Sequence, residues 1–149
     1  MKKTAAKFLL RENDLRASDM QALNELLKQL NPEANEMSHK KVKEVMRHGV
    51  IVSLRDAKKE NSLIGMGTLL PLRKLFAFCG SIEDVVVSAD YRGQGLGKKI
   101  MQTLLDKGKS LGIEKIDLTS SPKRKIANIL YQSLGFEKRK TNIYRFKNT

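Results

Sequence analysis

Apolar positions along the chain change their period twice. Phe8-Leu9-Leu10-Arg11 reads as a short opening strand, and residues 14–19 as a loop in which Ser18 offers an N-cap. Met20, Leu23, Leu26, Leu27 and Leu30 then recur at spacings of three and four, which predicts a helix burying one face. Asn31-Pro32 ends it. A weaker helix is predicted over 38–48, with Val42, Val45 and Met46 on one side. Gly49 closes it, as a residue free to take the left-handed conformation. The pattern then shortens to strand spacing. Val50 to Leu54 is a strand, 56–61 a polar connection, and Ser62 to Leu70 a return strand interrupted by Gly65 and Gly67. A turn is expected from Pro71 to Lys74 and a third strand over about 76–88. Loops this short exclude crossover helices and predict an antiparallel meander.

The second half changes character. Val85-Val86-Val87 is a β-branched run of the kind buried on both faces. After Gly97 a helix carries Ile100, Met101, Leu104, Leu105 and Leu111 on its apolar stripe and ends at Gly112. Residues 113–119 predict a strand and 124–134 a helix ending at Gly135. Phe136 and Ile143-Tyr144-Arg145-Phe146 are expected to add closing strands. Neither an internal repeat nor a linker interrupts the 149 residues, so the expectation is one mixed α/β domain over 1–149.

Composition narrows the class. With 40% hydrophobic residues the chain has the material for a core, and no apolar run approaches membrane-spanning length. The basic N-terminus lacks the apolar stretch of a cleaved signal peptide, and a cytoplasmic protein is expected. A single cysteine, Cys79, excludes an intramolecular disulfide framework and a cysteine-rich zinc site, so no metal is expected. Cys79 has no neighbouring histidine and reads as a small buried hydrophobe. His39 and His48 read as surface residues, Tyr91 and Tyr144 as structural. The net charge of +13 is uneven: residues 1–90 carry 15 basic and 12 acidic side chains, residues 91–149 carry 14 and 4. A polyanionic partner is implied, either nucleic acid or a phosphate-rich cofactor.

The segment from Val85 to Lys99 separates these two. A strand leads into Arg92-Gly93-Gln94-Gly95-Leu96-Gly97-Lys98, which opens a helix. Glycines let a ligand approach the main chain, and the unpaired amides of a first helical turn point at an anion. The Lys98-Lys99 ending excludes a Walker A loop, and the G-x-G-x-G spacing is not the Rossmann pattern. The sequence instead resembles the GCN5-related N-acetyltransferase (GNAT) family. Arg92 to Gly97 meets its Gln/Arg-x-x-Gly-x-Gly/Ala signature, and Asn128-Ile129-Leu130-Tyr131-Gln132-Ser133-Leu134-Gly135-Phe136 resembles its second, helix-to-strand element. The resemblance covers 75–146 closely.

That resemblance implies a twisted mixed sheet of six or seven strands flanked by about four helices, with acetyl-CoA where the fourth and fifth strands splay. Val85, Val86 and Val87 would pair with the pantetheine arm. The amides of Arg92, Gly93, Gln94, Gly95, Leu96, Gly97 and Lys98 would hold the pyrophosphate, and Asn128 would contact the cofactor. Lys123-Arg124-Lys125 reads as a solvated run. Acetyl transfer to an amine needs a proton acceptor, a polarised carbonyl and a stabilised thiolate. Glu83 and Asp84 are the acids on the strand leading into Val85; by strand alternation they face opposite sides. Glu83 is the preferred general base, against a plain salt bridge, with Asp84 structural. By resemblance Tyr131 would protonate the thiolate, against a core aromatic packed with Ile126, Leu130 and Leu134. The acceptor, a small-molecule, peptide or protein amine, has no readable motif. Aminosugar-phosphate acetyltransferases share the Ile-Glu-Asp-Val stretch, yet usually carry an acid in the fifth strand where this chain has Leu118-Thr119-Ser120-Ser121. The family admits homodimers. Two alternatives stay open: a basic nucleic-acid-binding module, which the 5% aromatic content disfavours, and a catalytically silent acyl-CoA binder.

Overall fold

The computed structural model describes residues 6–149. Its contacts divide the chain into two compact units, parted between Leu118 and Thr119. The first unit holds one five-stranded sheet in the order β1-β2-β3-β4-β5. Its strands are β1 (Phe8–Glu12), β2 (Val50–Asp56), β3 (Ser62–Arg73), β4 (Phe78–Val87) and β5 (Lys115–Asp117). The first four run antiparallel in sequence order, which the short connections require for β2–β3 and β3–β4. The β4–β5 pair is parallel and is joined through α3 (Leu96–Ser110), the crossover that a parallel pair needs.

Helices α1 (Met20–Leu30) and α2 (His39–His48) cover one face of this sheet. Leu23, Leu26 and Val42 pack there with Ile51, Leu63, Met66 and Val86. On the other face, Gly67 leaves the gap into which α3 fits: a Cβ there would lie 2.8 Å from Ile100 Cγ2 and 2.9 Å from Leu104 Cδ1. The two glycines that interrupt the apolar pattern of β3 are therefore the seat of a helix. Leu54, Leu69, Ile100 and Leu104 are fully buried, each contributing about 1.5–3 kcal/mol relative to exposure.

Several local expectations change. Ser18 lies within a 3-10 turn over Ala17–Asp19 and caps nothing; Asp19 accepts the Arg16 N–H there at 2.9 Å. Ser38 does cap α2, accepting the Lys41 N–H at 3.3 Å. Gly49 ends α2 in extended backbone, φ −150°, and the reason for glycine is proximity, since a Cβ would meet the Leu69 carbonyl oxygen at 2.7 Å. Strand β3 runs through Pro71 to Arg73, and the turn falls at 74–77. Pro71 lies beyond Leu69, the last β3 residue paired with β2, where the sheet tolerates proline. Leu111, placed on the apolar stripe, follows the end of α3 and is exposed.

The second unit contains α4 (Lys125–Ser133). The predicted closing strands do not form: residues 137–149 carry no strand, and Ile143, Tyr144 and Phe146 are exposed. Alternating apolar residues make a strand only where a neighbouring strand accepts their backbone groups. The described sheet thus has five strands, not six or seven. No described helix is long and apolar enough to cross a membrane.

Candidate functional site

Strand β4 carries an extra residue. Thr68 pairs with Glu83 while Met66 pairs with Val86, so two steps on β3 face three on β4. Asp84 takes up the difference with φ +54°, a left-handed conformation that aspartate tolerates better than most side chains. This bulge overturns simple alternation. Glu83 shares a face with Thr68 and Ser81, and after the bulge Val86 returns to that same face beside Met66. Val85 points to the opposite face, near Gly67 and α3. Of the valine run only Val86 is buried; Val85 and Val87 are half-buried.

The other edge of β4 is largely free. Parallel pairing with β5 covers only Cys79, Gly80 and Ser81, opposite Lys115, Ile116 and Asp117. Among the described residues no strand pairs that edge from Ile82 to Val87. An extended ligand can bond there as an added strand does.

Glu83 is half-buried, and Ser81 Oγ donates to its Oε1 at 2.5 Å. None of the ion pairs among the described residues includes it. Burial pushes the neighbouring Asp84 carboxyl above the usual carboxylate range, and the Glu83 charge adds to the rise. The buried Cys79 lies on the same strand, as expected for a small hydrophobe.

Past Val87 the chain makes a 3-10 turn over Ala89–Tyr91 and enters the glycine loop. Gly93 and Gly95 adopt φ +78° and +72°, and Gly95 is the N-cap of α3. A Cβ at either position would meet nothing within 4 Å, so backbone conformation, together with open space for a ligand, accounts for these glycines. The amides of Leu96, Gly97 and Lys98 precede the first bond at this end, Lys99 N–H to Gly95 O at 3.3 Å, and have no acceptor inside the helix. Amides placed so, at the positive end of the α3 dipole, suit an anion. Arg92 is drawn back onto the strand, its Nε donating to the Val87 carbonyl at 3.0 Å.

Asn128 and Tyr131 lie on α4 in the second unit. Asn128 Nδ2 donates to the Ser121 carbonyl at 3.0 Å and so ties down the turn before α4. Tyr131 is half-buried, with the Phe136 ring edge-on at 6.1 Å. Burial raises its phenol above the ordinary tyrosine value, against a lowering by the Arg124 charge. The hydroxyl is therefore protonated at neutral pH. Ile126, assigned to its apolar neighbourhood, is exposed, and so are Lys123, Arg124 and Lys125.

Residue patterns gave no sign of four further contacts around the glycine loop and the sheet. Tyr91 Oη donates to Asp56 Oδ2 at 2.9 Å, and the Ala89 N–H donates to Gln29 Oε1 at 2.9 Å. Arg55 joins Asp14 at 2.8 Å and Asp19 at 2.9 Å in a mostly buried network. Each bond spans 35 residues or more, and no local spacing signals it.

Comparison with known proteins agrees with this geometry. The family model described as acetyltransferase (GNAT) family matches residues 20–136. Glucosamine 6-phosphate N-acetyltransferase of Arabidopsis thaliana is 27% identical over 99 residues, covering 64% of this chain and 64% of the relative. The protein of that name from Trypanosoma brucei brucei is 33% identical over 93 residues, covering 60% and 61%. The chain thus spans somewhat less than two thirds of the length of these curated relatives. The crystal structure of the Arabidopsis enzyme superimposes with a TM-score of 0.79 at 25% identity, covering 96% of this chain and 100% of that one. With a family match across most of its length and a bulged strand running into the glycine loop, the chain belongs to the GNAT acetyltransferase family.

Proposed function

We propose that residues 1–149 form one N-acetyltransferase domain that uses acetyl-CoA to acetylate a primary amine by direct attack in a ternary complex. The free edge of β4 leading into the unpaired amides of α3 carries this reading. The family match runs across both compact units, which supports a single domain. Acetyl-CoA supplies an acetyl thioester and leaves as CoA. The backbone of Val85, Val86 and Val87 holds the pantetheine arm in extended form, and the amides from Gly93 to Lys98 hold the pyrophosphate, the Arg92 N–H being donated to the Ala89 carbonyl at 3.4 Å. Asn128 contacts the cofactor from α4, by the family pattern.

An alkyl ammonium with a pKa near ~10 costs roughly 4 kcal/mol to deprotonate at pH 7. Glu83 takes that proton, directly or through water, with Ser81 fixing one carboxylate oxygen. Tyr131 donates to the departing sulfur, and its raised pKa keeps the proton in place across the physiological range. An amino-sugar phosphate is the first acceptor to try, because the curated relatives quoted above carry that name. The missing acid at 118–121 keeps other small amines in the screen.

Thermal unfolding with CoA and acetyl-CoA tests the donor, then CoA release with glucosamine 6-phosphate, glucosamine and amino-acid amides tests the acceptor. A ligand at 100 times its Kd contributes about 2.7 kcal/mol, a rise of roughly 5–10 °C at this size. No shift at millimolar CoA overturns the donor assignment. Tyr131→Phe should lower turnover by about 100-fold with acetyl-CoA affinity kept; unchanged turnover with chemistry rate-limiting removes Tyr131 from the mechanism.

A further inference from the structure

We propose that Gln29, Asp56 and Tyr91 are positioning residues for the donor, anchoring the glycine loop to α1 and to the end of β2 before the pyrophosphate arrives. The inference rests on the acetyl-CoA reading above. Two glycines with positive φ give the loop more freedom to lose on binding than other residues would. A loop ordered only by its ligand spends binding energy on that ordering, whereas a pre-anchored loop does not.

The anchors sit just upstream of the glycines. Asp56 is only 1% exposed at the end of β2, and both its oxygens are used: Oδ1 accepts the Lys58 N–H at 3.0 Å and Oδ2 the Tyr91 hydroxyl at 2.9 Å. The carboxylate is thus a fixed post. The Tyr91 ring is held as well, with the Phe8 ring edge-on at 6.2 Å and the Lys59 ammonium 5.5 Å from its centroid. Gln94 Nε2 donates back to the Tyr91 carbonyl at 3.3 Å, which links the anchored tyrosine to the residue between the two glycines. Gln29, exposed on α1, accepts the Ala89 N–H and fixes the entry to the loop.

The test compares two ligands in each variant: CoA, which carries the pyrophosphate, and pantetheine, which lacks it. Titration gives the ratio of their dissociation constants, and that ratio isolates the loop from general loss of structure. Tyr91→Phe keeps the ring and removes the post contact; the CoA preference should fall about tenfold, the scale of one hydrogen bond to a charged group. Gln29→Ala should lower it about threefold, and its exposed helical position keeps the test open if Tyr91→Phe fails to fold. Asp56→Asn leaves one acceptor oxygen for two donors, the Lys58 N–H and the Tyr91 hydroxyl, and should lower the preference as well. Equal weakening of both ligands, or an unchanged ratio in the two loop variants, overturns the positioning role. A native chain that binds CoA no better than pantetheine overturns the donor reading itself, before any variant is made.

Discussion

In the sheet unit, side chains far apart in sequence meet and are buried; in residues 119–149 the described bonds are local and no described apolar side chain is fully buried. Every buried apolar side chain among the described residues lies between Leu15 and Leu104. Arg55 bridges partners 41 and 36 residues away. In the second unit, Ser121 accepts from Lys123, Arg124 and Asn128, while the Tyr131 carbonyl accepts from Leu134 and Phe136. Helix α4 buries none of its residues, and Ile126 and Ile129 are 87% and 69% exposed. The glycine loop belongs to the well-packed unit, so it can be pre-formed. Tyr131 belongs to the locally held one.

Core truncation should separate the two units most widely. Leu104→Ala removes a fully buried side chain between α3 and the β3 glycines and should cost about 2–5 kcal/mol in denaturant unfolding. A loss under 1 kcal/mol would mean that the sheet unit relaxes around the cavity and is not tightly packed. Gly95→Val comes next and divides function from packing. Its Cβ meets no protein atom, and the left-handed backbone costs a β-branched residue roughly 1–3 kcal/mol of folding. Acetyl-CoA affinity measured by calorimetry should nevertheless fall about 100-fold. Normal affinity in the folded variant would sink the loop assignment.

Acid titration probes the network that pins the 14–19 segment to β2. The Arg55 guanidinium holds the Asp19 carboxyl below its ordinary value, against desolvation; burial pushes Asp14 up, yet Arg55 and Ser53 hold it below as well. A carboxyl lowered by folding stabilises the native state above its unfolded value near 4. That contribution is lost as pH falls through the folded value. Asp19→Asn should therefore cost about 1.5–3 kcal/mol at pH 7, and the gap to the native chain should close toward pH 3. A gap that stays constant with pH would assign the loss to packing and not to charge.

What the sequence made legible follows the same division. Helices α1, α3 and α4, the antiparallel meander and the glycine loop are all written in neighbours a few residues apart, and each forms close to where its spacing predicts, the β3–β4 turn three residues later. The bulge at Asp84, the Arg55 network and the Tyr91–Asp56 contact depend on which strands meet, and no local pattern records them. Gly49 shows the mixture: the residue marks the helix end as expected, but the requirement is the approach of the Leu69 carbonyl. Ile143 to Phe146 failed for the same reason, since alternation within one segment says nothing about a partner strand.

Ile129→Ala should have the smallest effect, and it tests the comparison from its weaker side. Ile129 is 69% exposed on α4, so little apolar area returns to water when it is truncated. Alanine also forms helix more readily than isoleucine, offsetting part of the loss. The stability change should stay within about 0.5 kcal/mol, the range of ordinary surface substitutions. A loss near 2 kcal/mol would show that this face of α4 is covered in solution. The contrast between a packed and a locally held unit would then be a difference of degree.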